Sequence, residues 1–316
     1  MKLIRGIHNI KPCHQKCIIS IGNFDGFHIG HKSLISNLKN EKLKYNSSIM
    51  LIIFEPQPQE YFLKKSAPLR LSRLRDKIKY FKYEKIDYIL CIPFKKSFSL
   101  ITGKDFIRNV LVKKLKIQCI IVGNDFKFGY KRYGNINLLK KLGNHYRFKV
   151  INISTQIQNC KKVSSTLIRK ALYKDQISFA TKLLGHQYCI SGRVIHGKKF
   201  GRTIGFPTAN ISLKNKELPI NGVYIVKVNG IFTYPLYGVA NIGYRPTIYG
   251  NKKTLEVHLI DVSINIYGLY IDIVIIKKIR NEKKFNSIED LTKQISNDIL
   301  YIKDINLNIN NTVTEK

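Results

Sequence analysis

The stretch SIGNFDGFHIGHKSL (Ser20–Leu34) leads from a short β-branched run through a glycine-containing turn into a helical segment. Ile18–Ile21 reads as a buried strand and His31–Lys42 as a helix. Four further apolar runs follow: Ile49–Phe54, Tyr88–Ile92, Gln118–Val122 and Phe148–Ile153. Helical stretches lie between them at Leu71–Lys82, Gly103–Lys116 and Asn135–Leu142. Strand alternating with helix predicts an α/β fold, a doubly wound parallel sheet covered on both faces.

Ligands of such sheets bind beyond the carboxyl ends of the strands. A helix beginning near His31 directs free N–H groups and the positive end of its dipole at an anion. Gly30 allows close backbone approach, and Gly22 and Gly26 keep the loop compact. His28 and His31 are therefore candidate donors to phosphate oxygens, most useful where charge builds up during attack on the α-phosphate of ATP. The plain alternative is one core histidine and one exposed helix start. A second element weighs against it: KVSSTLIRKAL (Lys162–Leu172) places Ser164, Ser165, Thr166 and Arg169 at another helix start, suited to the β- and γ-phosphates.

The texture changes near Gly185. From Tyr188 to Ile279, short β segments alternate with Gly, Pro and Asn turns, which predicts a small antiparallel barrel or sandwich. Ser287 and Asp290 have capping-box spacing and start a final helix. The boundary falls at about Leu184, giving domains 1–184 and 185–316. Within the second, GRVIHGKKFGRTIGFPTANI (Gly192–Ile211) offers Gly197, Gly201 and Gly205 for tight backbone around an anion, with Lys198 and Arg202 as charge. Thr208 and Asn210, two apart, present oxygens together to Mg²⁺. No Walker A motif occurs, so a P-loop kinase is not expected.

At 316 residues with 44% hydrophobic and 24% charged content, the chain suits two globular domains. No apolar run approaches the ~20 residues that cross a bilayer, so a cytoplasmic protein with no membrane partner is expected. The six cysteines lack metal-ligand spacing and read as reduced thiols. A net charge of +35 would attract polyanions, but the lysines are spread along the whole chain. Charge alone supplies only non-specific affinity, so no specific nucleic-acid partner is expected.

His28–His31 spells HIGH, a tetrapeptide also known from one class of aminoacyl-tRNA synthetase. That reading needs a KMSKS-type loop, which KVSST matches poorly, and a tRNA-reading domain. The motifs IGNFDGFHIGH, FEPQPQEYF, RLSRLRDK, VGNDFKFG, KVSSTLIR, GRTIGFPTANI, LPINGVYIVKV, GVANIGYRPT, LEVHLID and IRNEKKF, in this order, resemble the bifunctional riboflavin kinase/FAD synthetases of bacteria. The resemblance covers nearly the whole length. It implies an N-terminal nucleotidylyltransferase-like FMN adenylyltransferase and a C-terminal riboflavin kinase barrel, acting on riboflavin, FMN and ATP with Mg²⁺. By it, His28 and His31 stabilise adenylyl transfer, while Ser164, Ser165, Thr166 and Arg169 hold ATP phosphates. Asn23, Asp25 and Asp125 belong to the same pocket, Asp125 toward the flavin. In the kinase, Thr208 and Asn210 bind Mg-ATP, Glu282 is the general base, and Arg280 and Asn281 flank the flavin. Lys162 stands where the family commonly has arginine, Asn124 where an acid is frequent, and Lys198 where aspartate is frequent. The alternatives are another HxGH nucleotidylyltransferase, a tRNA-synthetase-like enzyme, or a non-catalytic flavin- or RNA-binding protein.

Overall fold

The computed structural model describes residues 1–316 apart from 155, 159–160, 198–199, 215–216, 248–249 and 314–316. The chain forms two compact units, Met1–Leu167 and Ile168–Lys316. No helix among the described residues is long and apolar enough to cross a membrane.

The first unit holds a six-stranded sheet of β1 (Lys2–Arg5), β2 (Ile18–Ile21), β3 (Ile49–Glu55), β4 (Tyr88–Pro93), β5 (Cys119–Gly123) and β6 (Lys149–Ile153), in the order β1-β4-β3-β2-β5-β6. Every pairing is parallel. Successive strand residues point to opposite faces, and both faces are apolar. Ile19, Ile52 and Leu90 pack with Ile107 and Leu111 on one side. Ile18, Leu51 and Ile89 pack with Ile35, Leu38 and Phe81 on the other. Strand β1 was not expected: four residues with one buried position carry little periodic signal. The expected helix over 103–116 is a turn at Gly103–Asp105 leading into a π-helix over Phe106–Lys114. A short hairpin of β7 (Ile157–Gln158) and β8 (Lys161–Lys162) precedes the Ser165–Tyr173 helix.

The second unit resolves the choice between barrel and sandwich. Strands β9 (Cys189–Ile195), β10 (Thr208–Ile211), β11 (Gly222–Asn229), β12 (Leu236–Thr247), β13 (Gly250–Leu259) and β14 (Tyr270–Arg280) close into an antiparallel barrel, order β10-β13-β12-β11-β14-β9. Pairing of β10 with β9 completes the ring and leaves no open edge. The chain ends in the Ile288–Val313 helix, which Ser287 starts by accepting the Asp290 N–H at 3.0 Å.

The unit begins before β9. The Ile177–Leu184 helix buries Ile177, Ala180, Leu183 and Leu184 and packs against β14. Asp175, just ahead of it, accepts from Tyr224 Oη at 2.8 Å and from Lys278 Nζ at 2.6 Å. Tyr224 is fully buried, and that burial, with the Asp175 hydrogen bond, pushes its phenol pKa up. Removing 168–184 would leave this hydroxyl only the Asn221 carbonyl, at 3.0 Å, as acceptor, and uncover apolar side chains worth ~1.5–3 kcal/mol each. Against a typical domain stability of ~5–15 kcal/mol, that loss is severe. Residues 168–316 should therefore melt cooperatively, and residues 185–316 should melt far lower or aggregate. Equal melting temperatures for the two fragments would show that this segment is dispensable.

Candidate active sites

In the first unit, the loop after β2 turns sharply. Phe24 and Phe27 adopt left-handed φ values of 48° and 45°, which for aromatic side chains costs of order 1–3 kcal/mol each. Burial offsets the strain: both rings are 1% exposed. Phe24 meets Phe81 edge-on at 5.5 Å, and Phe27 stacks on Tyr80 at 5.3 Å. Asp25, equally buried, accepts the N–H groups of Leu71 at 3.1 Å and Ser72 at 3.0 Å. The Gly26 N–H donates to Ser72 Oγ at 2.9 Å. The Asp25 carboxylate thus ties the HxGH loop to the Arg70–Ser72 segment, a use its position in the motif does not announce.

His28 caps the Ile29–Tyr45 helix, its carbonyl accepting from the His31 N–H at 2.8 Å. The two imidazoles stack with centroids 3.7 Å apart and planes 17° apart. Gly30 serves the pair: a Cβ there would stand 3.1 Å from the His28 ring. The second expected element comes to the same loop. Ser165 Oγ donates to the Asp25 carbonyl at 2.8 Å, and Ser164 Oγ accepts the Leu167 N–H at 3.2 Å as the helix cap. Thr166 lies in the first turn, and Arg169 follows on the same helix, beyond the division between the units. Asn23 is half-buried in the loop; Asn124 and Asp125 are exposed after β5, where Asp125 pairs with Lys162.

Enclosure by protein pushes the His31 pKa well below its ordinary value, and the neighbouring His28 and Lys77 add to the effect. Lys77 is itself buried, and burial brings its ammonium down to about 8 against the opposing pull of Asp25. As pH falls, an unfolded chain protonates at the ordinary histidine value before His31 does in the folded unit. The stability contributed by neutral His31 is therefore complete above about pH 6.5 and is lost as pH drops below it. His31→Gln should flatten the acid side of the melting-temperature profile between about pH 5 and 7. An unchanged slope would show that His31 does not titrate in this way.

A cavity of about 840 Å³ opens at the carboxyl ends of these strands. Phe54, Phe62, Phe94, Phe98, Phe126 and Phe128 line it, with Lys127, Lys131 and Arg132 also at its wall. The sequence does not announce this pocket, because its rings come from several separate segments and read as core. The available signal was position: Phe54, Phe94 and Phe126 lie at or just past the ends of β3, β4 and β5, where sheets of this class bind ligands. Arg70, buried and paired with Glu55 and Glu60, braces the segment carrying Phe62.

In the barrel, Thr208 and Asn210 sit on one side of β10 and line a cavity of about 350 Å³, together with Glu256 and Glu282. Glu282 accepts from Asn221 Nδ2 at 3.3 Å. A second cavity of about 560 Å³ shares Thr208 and adds Arg202, Pro207, His196 and Tyr267, the last two stacked at 4.0 Å. Gly197 gives room to the Asn210 amide, which a Cβ would overlap; Gly201 likewise lets the Phe206 carbonyl approach. Lys198 lies outside the described residues. Arg280 lines the smaller cavity, but its guanidinium forks onto Asp298, with Nε at 3.0 Å and Nη2 at 2.8 Å from Oδ2. Asn281 is exposed, and its carbonyl accepts from Arg280 Nη1 at 3.2 Å.

Residues 10–167 match the family model described as FAD synthetase, and residues 184–306 match riboflavin kinase. A bifunctional riboflavin kinase/FMN adenylyltransferase of Escherichia coli K12 is 48% identical over 301 residues, covering 95% of this chain and 96% of that protein. The chain belongs to this family. The bifunctional relative from Buchnera aphidicola of Schizaphis graminum is 51% identical over 307 residues, covering 96% of this chain and 98% of its own. That from Haemophilus influenzae is 46% identical, covering 95% and 97%. The solved structure of a protein named as a macrolide-efflux protein, from Streptococcus pneumoniae, superposes with a TM-score of 0.82 at 27% identity, covering 94% of this chain and 97% of its own. The bifunctional family thus spans both units, the parallel sheet first and the barrel second.

Proposed function

We propose that the chain makes FAD from riboflavin in two ATP-dependent steps, one in each half, as a cytoplasmic enzyme. The observation that carries the reading is convergence in the barrel. Thr208 and Asn210 share one strand, Glu282 lies more than seventy residues further on, and all three line one cavity, as a flavin kinase requires. The catalytic groups fall within 1–184 and 185–316, even though the second unit's packing begins at Ile168.

In the barrel, the 5′-hydroxyl of riboflavin attacks the γ-phosphorus of ATP. Glu282 accepts the hydroxyl proton, and ADP leaves with the broken P–O bond. Riboflavin occupies the cavity holding Glu282, and ATP the neighbouring one with Arg202, so transfer takes place where Thr208 borders both. Positioning and charge neutralisation supply most of the rate. The Thr208 hydroxyl and the Asn210 amide are hard oxygen donors on one strand face, and the Glu256 carboxylate lies beside them. They suit Mg²⁺, which when bound offsets phosphate charge. Arg280, which lines that cavity and is oriented by Asp298, and the adjacent Asn281 serve the flavin side.

In the first half, an oxygen of the FMN phosphate attacks the α-phosphorus of ATP, and pyrophosphate departs. His28 and His31 donate to the oxygens on which charge grows. The start of the Ser165–Tyr173 helix, with Ser164, Ser165 and Thr166, receives the leaving phosphates. The aromatic cavity takes the isoalloxazine ring by stacking, with Lys127, Lys131 and Arg132 available for the flavin phosphate. Asp125, which pairs with Lys162, immediately precedes Phe126 of that cavity.

The rival reading of HIGH is tested by offering the chain ATP with FMN, and separately with each amino acid and labelled pyrophosphate. Release of pyrophosphate with FMN alone is expected. Amino-acid-dependent exchange without FAD would overturn the assignment.

A further inference from the structure

We infer that Gly243 is a positioning residue for phosphoryl transfer, its missing side chain being the seat of the Glu282 carboxylate. This rests on the reading of Glu282 as the base. Gly243 lies within β12, buried, opposite Thr254 of β13, and its φ is not in the left-handed region. Backbone conformation therefore does not call for glycine at this position. Space does. A Cβ on Gly243 would overlap Oε1, Cδ and Oε2 of Glu282, and no other atom crowds it as closely.

The overlap is one-sided in what must yield. Gly243 is held in a barrel strand by pairing with Thr254 of β13, and its neighbour Ile242 pairs with Gly222 of β11 as well as with Leu255 of β13. Glu282 follows β14, is exposed, and ends in a flexible side chain. A methyl group at 243 would turn the carboxylate out of its seat and leave the barrel standing. Asn221 also holds the carboxylate, its amide donating to Glu282 Oε2 at 3.3 Å. A base displaced by even an ångström from the hydroxyl it must deprotonate loses most of its effect.

The test is a cycle of Gly243→Ala, Glu282→Gln and the double variant in the full chain. FMN formation from riboflavin and FAD formation from supplied FMN are both followed, with thermal melting as a check. Gly243→Ala should lower the kinase kcat by ~10²-fold, with little change in KM for riboflavin or ATP, in FAD formation or in melting temperature. In the Glu282→Gln background the same alanine should cost less than about twofold, because the base is already gone. Multiplicative losses would overturn the inference, since Gly243 would then act by another route. So would an unaffected Gly243→Ala kinase, or a barrel that melts early, which would mean the strand and not the carboxylate gave way. If Glu282→Gln alone leaves the kinase intact, the reading of the base fails first, and this one with it.

Discussion

Glu282→Gln should lower FMN formation from riboflavin by ~10²–10⁴-fold, while FAD formation from supplied FMN continues at close to the parent rate. The asymmetry follows from the nucleophiles. A ribityl hydroxyl is protonated at neutral pH and needs a base; the FMN phosphate is already anionic and needs none. Glutamine keeps the size of the side chain and its contact with Asn221, which pairs with Glu282 at 3.3 Å. A surface ion pair would be worth at most ~1 kcal/mol and would move neither rate by such a factor. Parallel loss of both activities would indicate misfolding, and a fully active kinase would leave Glu282 a surface residue.

His28→Ala should have the complementary effect: FAD formation down by ~10²–10³-fold, FMN formation nearly unchanged. The ring is 7% exposed and stacked on His31 at 3.7 Å, so its loss also frees the second imidazole to move. The kinase rate serves as the internal measure of enzyme concentration, because the barrel residues belong to the other unit, and thermal melting checks the folding of the first unit. Unchanged FAD synthesis would return His28 to the role of a plain helix cap.

The fold was legible because apolar runs such as Ile49–Phe54 alternate with helical segments, and because β texture begins at Tyr188. Those signals are local and periodic. The HxGH pair and the Ser164–Thr166 helix start were legible as phosphate-type geometry, and the structure brings both to the Asp25 loop. What stayed hidden depends on contacts between distant segments. Asp25 is acidic and lies in a motif, which suggests ligand binding; only the fold shows its carboxylate on the amides of Leu71 and Ser72. The phenylalanines of the large cavity, Phe106 among them, come from separate stretches of the chain, and nothing in any one stretch distinguishes pocket from core. Arg280 sits in the IRNEKKF motif beside Glu282, yet its guanidinium is held by Asp298, a residue of the last helix that no motif marks. Residues 168–184 are helical like the first half, and their attachment to the barrel through Asp175 and Tyr224 is likewise a tertiary fact.

Whether one chain carries both steps is read from a time course. The intact protein is incubated with riboflavin, ATP and Mg²⁺, and the flavins are separated at intervals. FMN should appear first without a lag, and FAD should follow as FMN accumulates, with no FAD formed when ATP is withheld after the first step. Failure to form FMN from riboflavin, or failure to form FAD even when FMN is supplied, would contradict the account.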